Sequence, residues 1–102
     1  EYDLGMPWYR PTRVLQLQQA AAEAQRKVQQ VEAERQAIVQ EQARLRDNLA
    51  RVPANSDLQR RYLATLDKQE TDLEALAKRR SEADKAVEAA RDALRTYVSE
   101  LG

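Results

Sequence analysis

Arginines form the densest group of chemically competent side chains in this sequence, and they surround one internal proline. Residues 44–61, which we call the basic tip, carry five arginines and two aspartates, an excess of three positive charges. Such guanidinium clusters bind phosphates and carboxylates. The candidate contact residues are Arg44, Arg51, Arg60 and Arg61. The cluster therefore indicates RNA, another phosphate ligand or an acidic protein, although it also suits an ordinary solvated helix and lacks aromatic stacking residues.

The residues of the common catalytic sites are missing. The 102 residues include no His and no Cys, so no nucleophile–base pair of the usual kinds is available. No phosphate-binding loop and no metal-ligand spacing occurs. Carboxylates are plentiful, but on a solvated helical surface nothing excludes water from them, so we expect no shift of their pKa towards a catalytic role. We therefore expect no enzyme activity, no cofactor, no metal and no small-molecule substrate.

Composition favours long helices over a compact globular domain. Charged residues make up 33% of the chain and aromatic residues 5%, and Phe is absent. The formal net charge is zero, which gives no global electrostatic case for nucleic acid or an anionic membrane. No apolar run approaches the roughly 18 residues of a membrane span. Because the chain begins with Glu1 rather than Met, we expect a fragment of a longer protein.

A seven-residue repeat runs through both halves of the sequence. In the first half, ten of twelve positions spaced by three and four residues are apolar: Val14, Leu17, Ala21, Ala24, Val28, Val31, Arg35, Ile38, Gln42, Leu45, Leu49 and Val52. The second half repeats this at Tyr62, Leu66, Gln69, Leu73, Leu76, Arg80, Ala83, Val87, Ala90, Leu94, Tyr97 and Leu101. These positions, which we call the seam, predict a coiled coil.

A short break separates the two repeats and folds the second helix back on the first. Pro53 disfavours helix at the residue before it, and Ser56 with Gln59 forms a capping-box pattern. We predict an all-α, long antiparallel two-helix coiled-coil hairpin. Its parts are a non-helical arm over residues 1–11, a helix over 12–52, a turn over 53–56 and a helix over 57–101.

The two repeats predict one register. In an antiparallel pair closed at this turn, facing seam residues have numbers that add up to 111, as for Leu45 with Leu66. The same register places Gln42 opposite Gln69, and we predict that their amides bond each other as a register lock. Arg35 and Arg80 fall opposite apolar residues, with their guanidinium groups expected to reach water. They mark a weakened layer, a flex point or a docking place.

The N-terminal arm carries the remaining candidate residues. Its apolar side chains either pack on the open end of the hairpin, contact a neighbouring domain or partner, or belong to a sequence that is not native to the hairpin: Leu4, Met6 and Trp8. Positions beside the seam are mostly charged, which argues against a wide second apolar face. We therefore expect a monomer or a weak homodimer.

Several stretches resemble the helical hairpin of the bacterial mucoidy-inhibitor-like family. They are the run EQARLRDNL at 41–49, then Ser56-Asp57-Leu58, Arg61-Tyr62-Leu63 and Gln69-Glu70, with the ending Tyr97-Val98-Ser99-Glu100-Leu101. The resemblance covers residues 30–101 and implies a bacterial origin. It also implies a C-terminal hairpin attached to a larger β-containing protein, in a family whose conserved domain has no assigned function.

The sequence favours a structural or protein-interaction stalk within a larger bacterial protein. A periplasmic adaptor hairpin, docking its tip on a channel of an efflux or secretion assembly, is the first alternative. An RNA-contacting helical arm is the second, because of the arginines in the basic tip.

Overall fold

The chain is a pair of long α-helices. A computed structural model describes residues 11–101, in which α1 spans Pro11–Leu49 and α2 spans Asp57–Leu101. The predicted all-α helical hairpin is confirmed. The arm with Leu4, Met6 and Trp8 lies outside the described residues. Across residues 11–101, neither helix has a stretch apolar and long enough to traverse a bilayer.

The first helix ends three residues before its predicted boundary. It begins at Pro11, where a missing N–H costs nothing because the first turn has no partner for it. After Leu49, the N–H groups of Arg51 and Val52 donate to carbonyls three residues back, at 3.0 and 3.4 Å. Such shortened rings are typical of a helix closing in a 3₁₀ turn. Pro53 is the cause, because it drives the preceding residue out of helical geometry.

The turn is fixed by a capping arrangement that the sequence predicted with one difference. Ser56 Oγ accepts a hydrogen bond from the Gln59 N–H at 3.1 Å, as in a capping box. The Gln59 side chain, however, accepts from the N–H of Asn55 at 2.7 Å rather than from that of Ser56. Asn55 has φ of 63°, in the left-handed region that asparagine tolerates better than most residues. A rigid, hydrogen-bonded turn therefore starts α2.

The described chain divides into two compact units, each containing one segment of each helix. Unit 1 comprises residues 11–29 of α1 and 81–101 of α2. Its core is a cluster of small aliphatic side chains, Ala24, Val28, Ala83 and Val87. Because alanine and valine project little from the helix axis, the two backbones in this unit can approach closely.

Unit 2 comprises residues 30–80 and includes the turn. Its buried apolar residues are Val31, Leu45 and Leu76, two of them leucines, whereas unit 1 buries one leucine, Leu17, besides its cluster. They share the seam with two buried glutamines, Gln42 and Gln69. Every buried residue of the described chain occupies a predicted seam position, which supports the seam; thirteen other seam residues are half-buried, and Arg35 is exposed.

Candidate functional site

Two of the four candidate arginines of the basic tip are paired within their own helix. Arg44 binds the Glu41 carboxylate one turn away, with Nε 3.1 Å from Oε2. The hydrogen bond from Arg44 lowers the pKa of Glu41. Arg60 binds Asp57, and its Nη1 also donates to the Asn55 carbonyl at 3.0 Å. These two guanidinium groups are therefore paired with carboxylates of their own helix, although their side chains remain 58% and 63% exposed.

The other two candidate arginines, Arg51 and Arg61, remain available. Both are exposed, and within residues 11–101 neither guanidinium has a carboxylate partner. Arg61 lies beside Leu58, an apolar side chain that is 42% exposed. With Asp57 and Arg60, these two residues line a shallow surface depression on the first turns of α2. The accessible part of the basic tip thus combines unpaired guanidinium groups with an exposed leucine.

The two glutamines of the predicted register lock are buried, but their amides do not bond each other. Gln42 is 3% exposed and Gln69 is 8% exposed, as expected for one seam layer. Gln42 Nε2 instead donates to Glu70 Oε1 at 2.9 Å. Gln69 Oε1 is buried and has no hydrogen-bond partner among the described residues. The predicted amide–amide bond is therefore wrong, because a carboxylate beside the seam is the stronger acceptor.

Glu70 is the residue that sequence reasoning missed in this layer. Its Oε1 accepts from Gln42, and the same oxygen lies 3.8 Å from Arg46 Nη2. One carboxylate of α2 therefore contacts two side chains of α1. The available signal was its position directly after Gln69, on the flank of the seam where charged side chains reach across to the other helix.

A second carboxylate, that of Glu32, binds both arginines of the seam. Arg35 Nη2 lies 2.9 Å from Glu32 Oε1, and Arg80 Nη1, from the other helix, lies 3.0 Å from Oε2. Hydrogen bonds from Arg35 and then Gln36 lower the pKa of Glu32. Both side chains still reach water as predicted, at 47% exposed for Arg35 and 42% for Arg80, and the shared contact with Glu32 is what the prediction missed. The signal was a carboxylate three residues before Arg35, the spacing of neighbours on a helix.

Unit 2 also contains a surface groove that the sequence reasoning did not identify. Its apolar lining consists of Ala37 and Ile38 from α1 and Ala75 and Leu76 from α2. Charged side chains line its rim: Glu34, Asp72 and Arg79. Arg79 and Glu34 form an ion pair across the two helices at 2.9 Å, and Asp72 accepts from Lys68 at 2.8 Å. Alanines on both walls leave room for a side chain of another molecule.

No model of a known protein family, no curated protein and no solved structure matches this chain. The resemblance to the mucoidy-inhibitor-like family stays a prediction. The same holds for the functional role of the candidate residues.

Proposed function

We propose that this chain is a non-catalytic coiled-coil hairpin that acts as a structural and protein-interaction element of a larger bacterial protein. One observation carries the proposal: the ten buried residues of the described chain all lie in the seam. The hydrophobic driving force is used to hold the two helices together. Their outward faces then remain available to other proteins.

The polar contacts support the same role. Ion pairs between neighbouring turns stiffen each helix, as for Arg26 with Glu23 and Arg95 with Asp92. Contacts between the helices fix the pairing, as for Glu34 with Arg79 and Gln42 with Glu70. Individually exposed pairs contribute little to stability. Their arrangement favours one register, which a surface that presents docking residues at fixed positions requires.

The test is whether binding depends on one outward face while the seam stays intact. The chain is immobilised, and the proteins that it retains are compared with those retained by Arg51→Glu/Arg61→Glu and by Arg13→Glu/Arg95→Glu. We expect a defined protein whose retention is lost only with the first variant, with the helical circular dichroism signal unchanged in both. Retention that is equal for all three chains, or no specific retention at all, would contradict an interaction role for this face.

RNA contact is a second candidate, favoured by the guanidinium groups of Arg51 and Arg61, which have no carboxylate partner in the part of the chain that the structure describes. Phosphate contacts release counterions, so binding would fall steeply as salt rises. Retention of RNA at low salt is measured for the unchanged chain, for Arg51→Glu/Arg61→Glu and for Arg51→Glu/Arg60→Glu. The first pair should abolish retention more completely, because Arg60 is already occupied by Asp57 and Asn55. Absence of retention at low salt would end this candidate.

A further inference from the structure

One outward face of α2 has its own repeat of three and four residues within unit 2. Its members, which we call the outer stripe, are Leu58, Arg61, Thr65, Lys68, Asp72 and Ala75. All are exposed except Asp72, which is half-buried. The outer stripe begins in the depression at the first turn of α2 and ends in the groove lined by Ala75. It therefore joins two concave surface features of the same unit.

The outer stripe is complementary to itself when it is placed against a reversed copy. Leu58 then faces Ala75, Arg61 faces Asp72, and Thr65 faces Lys68, since each of these pairs of numbers adds up to 133. An exposed leucine meets the wall of an apolar groove, and Arg61, which has no carboxylate partner within residues 11–101, meets an aspartate. The three layers are thus apolar, oppositely charged and polar, without a pairing of like charges.

The residues around the outer stripe divide unit 2 into a positively charged part near the turn and a negatively charged part farther from it. Residues 44–66 carry five basic and two acidic side chains. Residues 30–43 together with 67–80 carry seven acidic and five basic side chains. An antiparallel arrangement therefore sets the positive part of each copy against the negative part of the other. A parallel arrangement would oppose like charges along the whole stripe.

We infer that two copies of this chain associate through the outer stripe, antiparallel, about a two-fold axis between Thr65 and Lys68. The inference rests on the proposed interaction role and names its partner as a second copy. A two-fold interface uses the same patch on both subunits, which is the commonest symmetry of soluble oligomers. Leu58 of each copy enters the groove beside Ala75 of the other. The stripe from Leu58 to Ala75 is about 26 Å long at the standard helical rise.

Asp72 exchanges its partner in this dimer. In the single chain it accepts from Lys68, one turn away on the same helix, at 2.8 Å. In the dimer, Arg61 of the other copy brings a planar guanidinium that can hold both carboxylate oxygens, which an ammonium cannot. Lys68 is then left to the Thr65 hydroxyl of the opposite copy. Each two-fold pair of copies thus contains the Arg61–Asp72 contact twice.

The mass of the unchanged chain is measured by sedimentation equilibrium over about a hundredfold range of concentration. We expect a monomer–dimer equilibrium, with circular dichroism showing the same helix content throughout. Raising the salt concentration should shift the equilibrium towards monomer, because the facing charges are partly solvated.

Charge exchange then tests the register of the stripe. Arg61→Asp and Asp72→Arg should each raise the dissociation constant about tenfold or more, since each places like charges opposite each other. The double variant Arg61→Asp/Asp72→Arg restores opposite charges at both contacts and should recover most of the affinity. Two weakened single variants with no recovery in the double variant would overturn the antiparallel register.

Blocking the groove with a large side chain is an independent test of the dimer. Ala75→Arg fills the groove and should raise the dissociation constant by more than tenfold. Ala89→Arg, at another exposed alanine of α2 outside the stripe, is the matched control and should leave it unchanged. A monomer at every concentration with full helix content would overturn the dimer and leave the proposed function standing. Helix content that falls with dilution would contradict the hairpin itself, and with it the proposed function.

Discussion

The two units solve the problem of pairing helices in different ways. Unit 1 packs a cluster of alanines and valines, Ala24, Val28, Ala83 and Val87, whose small size allows close contact. Unit 1 also buries one leucine, Leu17, whereas unit 2 buries Val31 and two leucines together with Gln42 and Gln69. Small aliphatic layers resemble one another, so a slip by one heptad costs little. Buried polar layers tolerate few partners, so they discriminate between registers at some cost in stability.

Contacts between the helices show the same contrast. In unit 2, Glu32, Glu34 and Glu70 each bind a side chain of the other helix. In unit 1, Arg91 donates to Gln25 at a longer distance of 3.3 Å. The comparison indicates that unit 2 fixes the register, while unit 1 adds apolar contact. Substitutions in the two units should therefore have different signatures.

The largest effect is expected from Leu45→Ala in unit 2. Leu45 is 3% exposed, and truncating a buried leucine removes apolar contact and leaves a cavity. We expect a loss of about 2–4 kcal/mol in the free energy of unfolding. Leu63→Ala, at a leucine of the same unit that is 48% exposed, is the control and should change it by less than about 0.5 kcal/mol. Equal losses in urea unfolding would contradict the assignment of the seam.

A smaller loss is expected when the close packing of unit 1 is overfilled. Ala83 is 8% exposed, and Ala83→Leu adds three carbon atoms to this packed position. We expect a cost of about 1–3 kcal/mol, because the added volume pushes the helices apart. Ala86→Leu, at an exposed alanine one turn away, should be nearly neutral. Stabilisation by Ala83→Leu in thermal unfolding would show that unit 1 is loosely packed.

Removing the unpaired acceptor of unit 2 should stabilise the hairpin. Gln69→Leu replaces a buried oxygen that has no partner among the described residues, and we expect a gain of about 1 kcal/mol. Gln42→Leu should gain less, because it also deprives Glu70 of a donor. The double variant Gln42→Leu/Gln69→Leu should be the most stable while populating more than one register or oligomer. A single set of backbone amide signals in nuclear magnetic resonance, with the same oligomeric states as the unchanged chain in native mass spectrometry, would contradict the register role.

The smallest effect is expected in how the unfolding temperature falls at low pH. The pKa of Glu32 lies below its usual value of 4.5, chiefly because of the hydrogen bond from Arg35, so its contribution is fully present above that value. It is lost as pH falls through the lowered pKa of the folded state. Glu32→Gln should therefore flatten the decline of the unfolding temperature below pH 4.5. Glu23→Gln is the control and should flatten it less, because Glu23 is held by Arg26 of its own helix, whereas Glu32 is also bound by Arg80 of the other helix. An unchanged profile for Glu32→Gln would contradict this.

The repeat in the sequence predicted the helices, the seam and the layer that buries both glutamines, because periodicity determines which positions of a coiled coil face the other helix. It did not predict the partners of the polar side chains. Gln42 donates to Glu70, and the two seam arginines bind Glu32, because carboxylates on the flank of the seam lie within reach and are strong acceptors. Such choices depend on side-chain torsions that spacing does not determine. For the same reason, sequence reasoning treated all four tip arginines alike, although two of them are paired.

The account depends most on the two helices pairing within one chain in one register. The sequence has no Cys, so nitroxide labels attach selectively to the two cysteines of the double variant Arg46→Cys/Glu70→Cys. The native side chains at these positions lie 3.8 Å apart. Dipolar broadening of the continuous-wave electron paramagnetic resonance spectrum should report one short distance and should survive dilution with unlabelled chains. A spectrum without broadening, or broadening lost on mixing with unlabelled chains, would show that the helices pair in other registers or between chains.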